Sequence, residues 1–282
     1  MENTNQLDIV KKPRVFELDV LRGIAVLAMI IDHFTLMVYY SEGYNGWASY
    51  LFSNFNDINN VALNTFLKLC CDFQDGTFRL VCHYIFCTLF LALCGISCSF
   101  SKSNFKRGFK VLIAGLIVTT ATSIISLVSG EDLYILFGIL STLAVSILMV
   151  AIVEKYFNNK WVYLGIGVIM ILWGFLIEWW DVPRINSITD IGPFELIEII
   201  LGYKLFGADC FGILPCGGVV FIGMFIGKTV YKNKESIIPK LDGKWKIPFT
   251  FVGNNALLIY LLHQVASVII IFLLYFIAGY RL

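Results

Sequence analysis

Residues 20–40 read VLRGIAVLAMIIDHFTLMVYY, an apolar run broken by one arginine near its start and by an aspartate–histidine pair near its middle. A helix needs about 20 mostly apolar residues to cross the hydrocarbon core of a bilayer. In hydrocarbon the backbone N–H and C=O groups must bind one another, which favours a helix over an open strand. The run therefore predicts a transmembrane helix, and it decides the fold class.

The rest of the chain repeats this pattern. Hydrophobic residues make up 58% of the 282 residues and charged residues 15%, whereas soluble domains carry about a quarter charged residues. The sequence predicts one all-α domain over residues 1–282, a polytopic integral membrane helical bundle with about seven transmembrane helices. The predicted spans are residues 20–40, 80–100, 109–128, 133–153, 161–177, 213–230 and 251–275. Two semi-polar stretches, residues 51–69 and 194–206, are predicted to form interfacial or re-entrant helices over the outer mouth.

The basic residues predict the orientation. With the N-terminus inside, only five of the 21 Lys and Arg residues fall in outer segments, namely Lys68, Arg79, Arg184, Lys204 and Arg281. Cytoplasmic loops carry such an excess of Lys and Arg. We therefore expect a multi-pass protein of the cell membrane with its N-terminus inside and the lipid bilayer as a partner. The sequence contains no nucleic-acid-binding motif, predicts no metal site, and leaves a homo-oligomer open.

All three histidines fall in predicted spans, and one of them follows an aspartate. Ionisable groups inside a bilayer are costly, so each indicates a functional site. We interpret His33 as a general base or nucleophile near the midplane and Asp32 as the group that orients it. His263 is predicted to lie at a similar depth. Two structural alternatives remain: Asp32 locks two helices in a buried pair, and His263 forms a helix–helix hydrogen bond.

The second span carries a stripe of small and polar residues at helical spacing. Its members are Arg79, His83, Cys87, Phe90, Cys94, Ser97 and Ser101. Such a stripe either lines a path through the bundle or lets neighbouring helices approach closely. We favour a functional role for His83 and a packing role for the cysteines. Four other cysteines, Cys70, Cys71, Cys210 and Cys216, would be able to form a disulfide in an oxidising compartment.

Two groups of basic residues near the inner surface are candidate anion sites. Arg22 lies at the start of the first span, where it pairs with Asp19 or Glu17, or receives a phosphate together with the helix N-terminus. The second group follows the second span and comprises Lys102, Lys106 and Arg107. Each signal is weak when it is taken alone.

Five segments resemble one known family. Residues 17–34, ELDVLRGIAVLAMIIDHF, resemble the opening of the heparan-α-glucosaminide N-acetyltransferase catalytic-domain family. The colinear matches continue through RLVCHYIFCTLFLALCGISCSFSKSNFKRG (79–108), ILFGIL (135–140), LPCGGVVFIGMFIGK (214–228) and LLIYLLHQ (257–264). A looser likeness extends to membrane enzymes that O-acylate surface polysaccharides.

The resemblance implies acetyl transfer from cytoplasmic acetyl-CoA to a sugar amine or hydroxyl on the far side of the membrane. We expect the acceptor to be an envelope glycan or glycolipid and the membrane to be a bacterial cytoplasmic (inner) membrane. The phosphates of acetyl-CoA would meet Arg22 and the basic inner loops, while its arm would reach His33. Asn255, Gln264 and Ser97 are candidate donors to the developing oxyanion, and Arg79 and His83 are candidate substrate contacts.

The chain departs from the family pattern at three places. Ser141 follows FGIL where relatives usually have histidine, Cys216 stands where an aromatic residue is frequent, and residues 254–255 are asparagines where a basic pair is frequent. Two other functions therefore remain open. One is a proton-coupled transporter that uses Asp32, His33 and His263, and the other is a catalytically inactive membrane scaffold.

Overall fold

The structure, a computed structural model, describes residues 15–41, 61–130, 133–157, 159–179 and 181–278. These residues form helices joined by short irregular segments and single turns of 3-10 helix. The helices are α1 (Phe16–Ser41), α2 (Val61–Gln74), α3 (Thr77–Phe100), α4 (Asn104–Ser129), α5 (Ile139–Tyr156), α6 (Lys160–Trp179), α7 (Pro193–Leu201), α8 (Ile213–Thr229), α9 (Ile247–Asn254) and α10 (Ala256–Ile277). Within the described part of the chain, six helices are long and apolar enough to cross a membrane, and α8 is a shorter apolar helix. The prediction of an all-α membrane bundle with about seven spans is confirmed.

The predicted fourth span begins too early. Residues 133–138 are not helical, and α5 begins at Ile139. The chain instead runs back along the end of α4, where the Leu133 N–H donates to Ser126 Oγ at 2.9 Å and the Ile135 N–H donates to Thr122 Oγ1 at 3.2 Å. These side-chain acceptors replace helical hydrogen bonds, so the apolar composition of residues 133–138 does not require a helix.

The predicted last span is divided in two. Helix α9 ends at Asn254 and α10 begins at Ala256. Asn255 lies between them with backbone angles of φ −105° and ψ 18°, and its side-chain amide donates to the Phe251 carbonyl at 2.9 Å. An asparagine side chain competes in this way with backbone hydrogen bonding and favours a break.

The two semi-polar segments are helical only in part. Residues 51–60 of the first lie outside the described residues, and the remainder belongs to α2. In the second, α7 ends at Leu201, and Gly202 takes a left-handed conformation with φ +97° that ends the helix.

Two helix pairs come into backbone contact at glycines. At the crossing of α3 and α8, a Cβ added to Gly95 would lie 2.0 Å from the Val220 carbonyl oxygen. At the contact of α1 and α9, a Cβ added to Gly23 would lie 2.0 Å from the Phe249 carbonyl oxygen. Small residues permit such close approach in membranes, where helix association depends on packing. The two contacts place α1, α3 and α9 around the candidate site.

The bundle has one basic end. The start of α1 packs there against the end of α3, with Val15 and Leu18 in one buried cluster with Leu93 and Ile96. Arg22, Arg107 and Lys228 all lie toward this end, which we call the basic end. From the positive-inside rule, we expect the basic end to face the cytoplasm.

Candidate functional site

A cavity of about 420 Å³ lies between the helices, bordered by α1, α2, α3, α9, α10, the start of α5 and the segment before α8. Along α1 its wall is formed by Ile24, Leu27, Ala28 and Ile31, which recur at the spacing of one helix face. Phe249 of α9 lines the cavity toward the basic end. From Ile24 to the polar groups beyond Ile31, the cavity follows α1 for about 12 Å. It is therefore an elongated, mainly apolar space with polar groups concentrated at one end.

Asp32 is the centre of the polar end. Its Oδ1 accepts from Arg79 Nε at 2.5 Å, and its Oδ2 accepts from Arg79 Nη2 at 3.0 Å. His83 Nδ1 lies 3.0 Å from the same Oδ2. Only 11% of the Asp32 side chain is exposed, so the carboxylate has exchanged water for these partners. A bidentate guanidinium–carboxylate pair fixes geometry as well as charge, and the three side chains of α1 and α3 therefore form one rigid unit.

The polar end of the cavity lies away from the basic end. Asp32 is about 24 Å along α1 from Phe16. Arg79 is in the first turn of α3, and Gln74 at the end of α2 donates to the Asp32 carbonyl oxygen at 3.0 Å. Helix α3 thus begins level with Asp32, and α2 packs over that end of the cavity. The position near the bilayer midplane stays a prediction.

His33 and His263 form a second polar pair. His33 Nδ1 and His263 Nε2 are 2.8 Å apart, and the rings stack with centroids 5.0 Å apart. His33 lines the cavity, while His263 is buried behind it with 6% exposure. The sequence placed both histidines at similar depth, and the structure brings them into contact.

The hydrogen-bond network assigns the protons of this pair. His263 Nδ1 contacts the Tyr260 carbonyl oxygen, which only accepts, so Nδ1 carries the hydrogen. In its neutral form His263 then accepts at Nε2, and His33 Nδ1 is the donor. His33 Nε2 is left with a free lone pair. That nitrogen has the electronic character of a base or a nucleophile.

Two cysteines of α3 also line the cavity, Cys82 and Cys87. Cys87 is buried, and its Sγ lies 3.8 Å from His83 Nε2. The sequence favoured a packing role for the cysteines of α3, and it did not indicate this contact. None of the eight cysteines forms a disulfide in the structure, so the conditional disulfide of the other four is not formed.

Asp209 is a site residue that the sequence did not indicate. It lies in the connection between α7 and α8 and lines the cavity together with Tyr260. Its carboxylate accepts a hydrogen bond from the Ile139 N–H at the start of α5, while burial raises its pKa to about 6. The usable signal in the sequence was an acidic residue shortly before an apolar helix.

Ser141, the departure after FGIL, lies behind the main cavity. It is buried and lines a small adjoining space of about 10 Å³, together with Asp209 and Tyr260. Ser141 therefore adjoins Asp209 and Tyr260, two residues that also line the main cavity.

Three predicted oxyanion donors do not lie at the site. Ser97 accepts from Arg22 Nη2 at 2.7 Å near the basic end, about 21 Å along α3 from His83. The Asn255 amide donates to its own helix, and Gln264 is exposed on α10. Of these candidate oxyanion donors, Ser97 therefore lies too far along its helix to reach His33, and Asn255 and Gln264 point away from the cavity.

The candidate anion-binding residues occupy different environments at the basic end. Arg22 Nη1 donates to Asp19 at 3.0 Å, which is the pairing alternative. Arg107 is turned into the bundle, with its Nη2 3.3 Å from Cys94 Sγ. Lys102 and Lys106 are exposed. Of these four candidate residues, only Lys102 and Lys106 are therefore exposed.

These features define a class of protein: a multi-pass helical membrane protein with a histidine pair and an ion-paired carboxylate around an internal apolar cavity. The family model described as "Heparan-alpha-glucosaminide N-acetyltransferase, catalytic" matches residues 14–59 and 59–265, and the chain belongs to this family. Neither the comparison with curated proteins nor that with solved structures gives a significant match.

Proposed function

We propose that the protein is a membrane acetyltransferase that moves an acetyl group from acetyl-CoA to an amine or hydroxyl of a sugar in an envelope glycan or glycolipid. The acetyl-CoA enters from the cytoplasm at the basic end, and the acceptor enters from the opposite side. One observation carries this proposal. The cavity runs along α1 from Ile24 and Phe249, its lining residues nearest the basic end, to His33, which supports an approach of the donor from that side to a candidate base.

The donor arm matches the shape of the cavity. The coenzyme has a highly charged phosphate end and a long, flexible arm that carries the thioester. The apolar stripe of α1 suits the arm, while the phosphates remain with the basic residues at the surface, Lys102 and Lys106 among them. The charged end of the donor therefore stays out of the hydrocarbon core, where its transfer would be very costly.

His33 acts as the base for the acceptor. Its Nε2 takes a proton from the sugar amine or hydroxyl as the acceptor attacks the acetyl carbonyl carbon. The imidazolium that forms is stabilised through Nδ1–H by His263 Nε2, 2.8 Å away. His263 is a positioning residue, since it is buried behind His33 and acts through it.

Arg79 replaces the three misplaced side chains as the candidate for oxyanion stabilisation. Its guanidinium lines the cavity beside Asp32, where positive charge is held in place by two hydrogen bonds. A fixed positive group directed at a developing oxyanion lowers the barrier without reorganisation.

Acetyl-CoA binding and hydrolysis by detergent-purified protein test the proposal. We expect saturable binding in wild type, and in His33→Ala a retained affinity with hydrolysis about 10²–10⁴-fold slower, the usual contribution of a general base. Leu262→Ala is a matched control, because this residue precedes His263 and is 55% exposed toward lipid. It should keep wild-type rates.

A folded protein that binds no acetyl-CoA would reject the acetyltransferase. Reconstituted vesicles then test the transporter alternative. A proton flux that His33→Ala abolishes would establish the transporter, and the absence of both activities would favour the inactive scaffold.

A further inference from the structure

Cys87, His83 and Asp32 form a connected series within the cavity wall. Cys87 Sγ lies 3.8 Å from His83 Nε2, and His83 Nδ1 lies 3.0 Å from Asp32 Oδ2. The two nitrogens of one imidazole therefore face a thiol and a carboxylate. Arg79 holds the carboxylate in place from its other side.

This order of groups is that of an activated nucleophile. A nucleophilic thiol needs a base within hydrogen-bond reach, and the base needs a third group that orients it. Cys82, one residue before His83, lines the same cavity but makes no hydrogen bond to a histidine in the part of the chain that the structure describes. The geometry thus distinguishes Cys87 from its neighbour.

We propose that Cys87 carries the acetyl group as a thioester during the transfer, with His83 as its base and Asp32 as the orienting carboxylate. This inference rests on the proposed function, since it divides the same acetyl transfer into two steps. It assigns the two histidine groups of the cavity to different half-reactions: His83 to the donor and His33 to the acceptor.

The first half-reaction exchanges one thioester for another. His83 Nε2 takes the Cys87 proton, and Sγ attacks the carbonyl carbon of the acetyl-CoA thioester. The bond from that carbon to the coenzyme sulfur breaks, and the coenzyme thiolate takes the proton back from His83. The products are S-acetyl-Cys87 and free CoA, with no change in oxidation state.

The second half-reaction uses the opposite wall. His33 Nε2 takes a proton from the acceptor amine or hydroxyl, whose nitrogen or oxygen attacks the acetyl carbon. The carbon–Sγ bond breaks, and the Cys87 thiolate receives the proton from His33. Because the coenzyme has left before this step, a long donor and a bulky acceptor need not occupy the cavity together.

The test is covalent labelling of the full-length protein in detergent with radiolabelled acetyl-CoA and no acceptor. After an acid quench, mass spectrometry locates the acetyl group in the digested protein. We expect it on Cys87 in wild type and in Cys82→Ser. In Cys87→Ser the label should be lost, and in His83→Gln its formation should slow by about 10²-fold or more. Exchange of labelled CoA into acetyl-CoA should follow the same pattern.

The two proposals fail differently. Acetyl-CoA hydrolysis without any label on Cys87, or with the label on His33, would overturn the thioester step and leave the acetyltransferase standing. Wild-type protein that neither binds nor turns over acetyl-CoA would overturn both. The wild-type labelling decides the matter even if a Cys87 variant does not fold.

Discussion

Helix α1 carries two aspartates that each bind an arginine, and the two pairs differ in almost every other respect. Asp19 and Arg22 lie one turn apart on the same helix and share one hydrogen bond of 3.0 Å. Asp32 and Arg79 lie 47 positions apart and share two hydrogen bonds of 2.5 and 3.0 Å. The first pair forms wherever α1 is helical, whereas the second exists only when α1 and α3 are packed together.

The Asp19–Arg22 pair is a local contact within one helix, whereas the Asp32–Arg79 pair helps to form the candidate site. Pairs of residues three apart on a helix contribute a few tenths of a kcal/mol. Breaking a buried pair costs far more, because it leaves the other charge without a partner. In this molecule the long-range pair also orients His83, so it connects helix packing to the chemistry proposed for the cavity.

The largest effect is expected from Asp32→Ala. It removes the acceptor of both Arg79 and His83, and we expect a loss of about 3–5 kcal/mol in the free energy of unfolding together with loss of acetyl-CoA hydrolysis. Unfolding in detergent and a hydrolysis assay measure the two quantities. The double variant Asp32→Ala/Arg79→Met should recover part of the stability because no unpaired cation remains. Equal stability of the single and double variants would show that Arg79 without its carboxylate partner carries no energetic penalty, contrary to this expectation.

A third carboxylate, that of Asp209, sharpens the comparison because it is half-buried and accepts from a backbone donor in place of an arginine. Burial raises the pKa of Asp209 from 3.8 to about 6. A raised pKa of an acid favours the folded state when the group is protonated, so this contribution is lost as the pH rises from about 4 through 6. We expect the free energy of unfolding of Asp209→Asn, relative to that of wild type, to increase by up to about 3 kcal/mol from pH 4 to pH 8.

Unfolding curves of both proteins at several pH values in one detergent measure this difference. Equal pH dependence of wild type and Asp209→Asn would contradict the assigned shift in the pKa of Asp209.

The smallest effect is expected from Asp19→Ala. The pair with Arg22 is partly exposed, and Arg22 keeps its hydrogen bond to Ser97 at 2.7 Å. We expect a loss of less than about 1 kcal/mol in the free energy of unfolding. The same unfolding assay applies, and a loss larger than that of Asp32→Ala would reverse the ranking of the two pairs.

The sequence predicts most of the fold because the length of an apolar run depends only on residues that are close together in the chain. The Asp19–Arg22 pair is local in the same sense. Apolar length alone located α1, α3, α4 and α6 closely. It failed at residues 133–138 and at Asn255, where side chains provide hydrogen bonds that compete with the helix. Composition does not record such competition, so an apolar stretch predicts a buried segment more securely than it predicts an unbroken helix.

The site was predicted only in part because it depends on contacts between helices. The cost of burying ionisable groups indicated Asp32, His33 and His263, and the structure brings them to one cavity or its wall. The same reasoning cannot say which face of a helix a neutral polar residue occupies, which is why Gln264 was misplaced. Asp209 was not predicted as a site residue because its segment is not a span, although that segment lines the cavity.

The Asp32–Arg79 pair also bears on how the protein is made. Helix α1 enters the membrane with a carboxylate that costs about 2.5–3.5 kcal/mol on its own near the centre of a helix. Its arginine is synthesised 47 residues later, which at ribosomal speeds of about 5–20 residues per second is roughly 2–9 s. If α1 and α3 leave the insertion machinery together, Arg79 neutralises this carboxylate before either helix meets lipid.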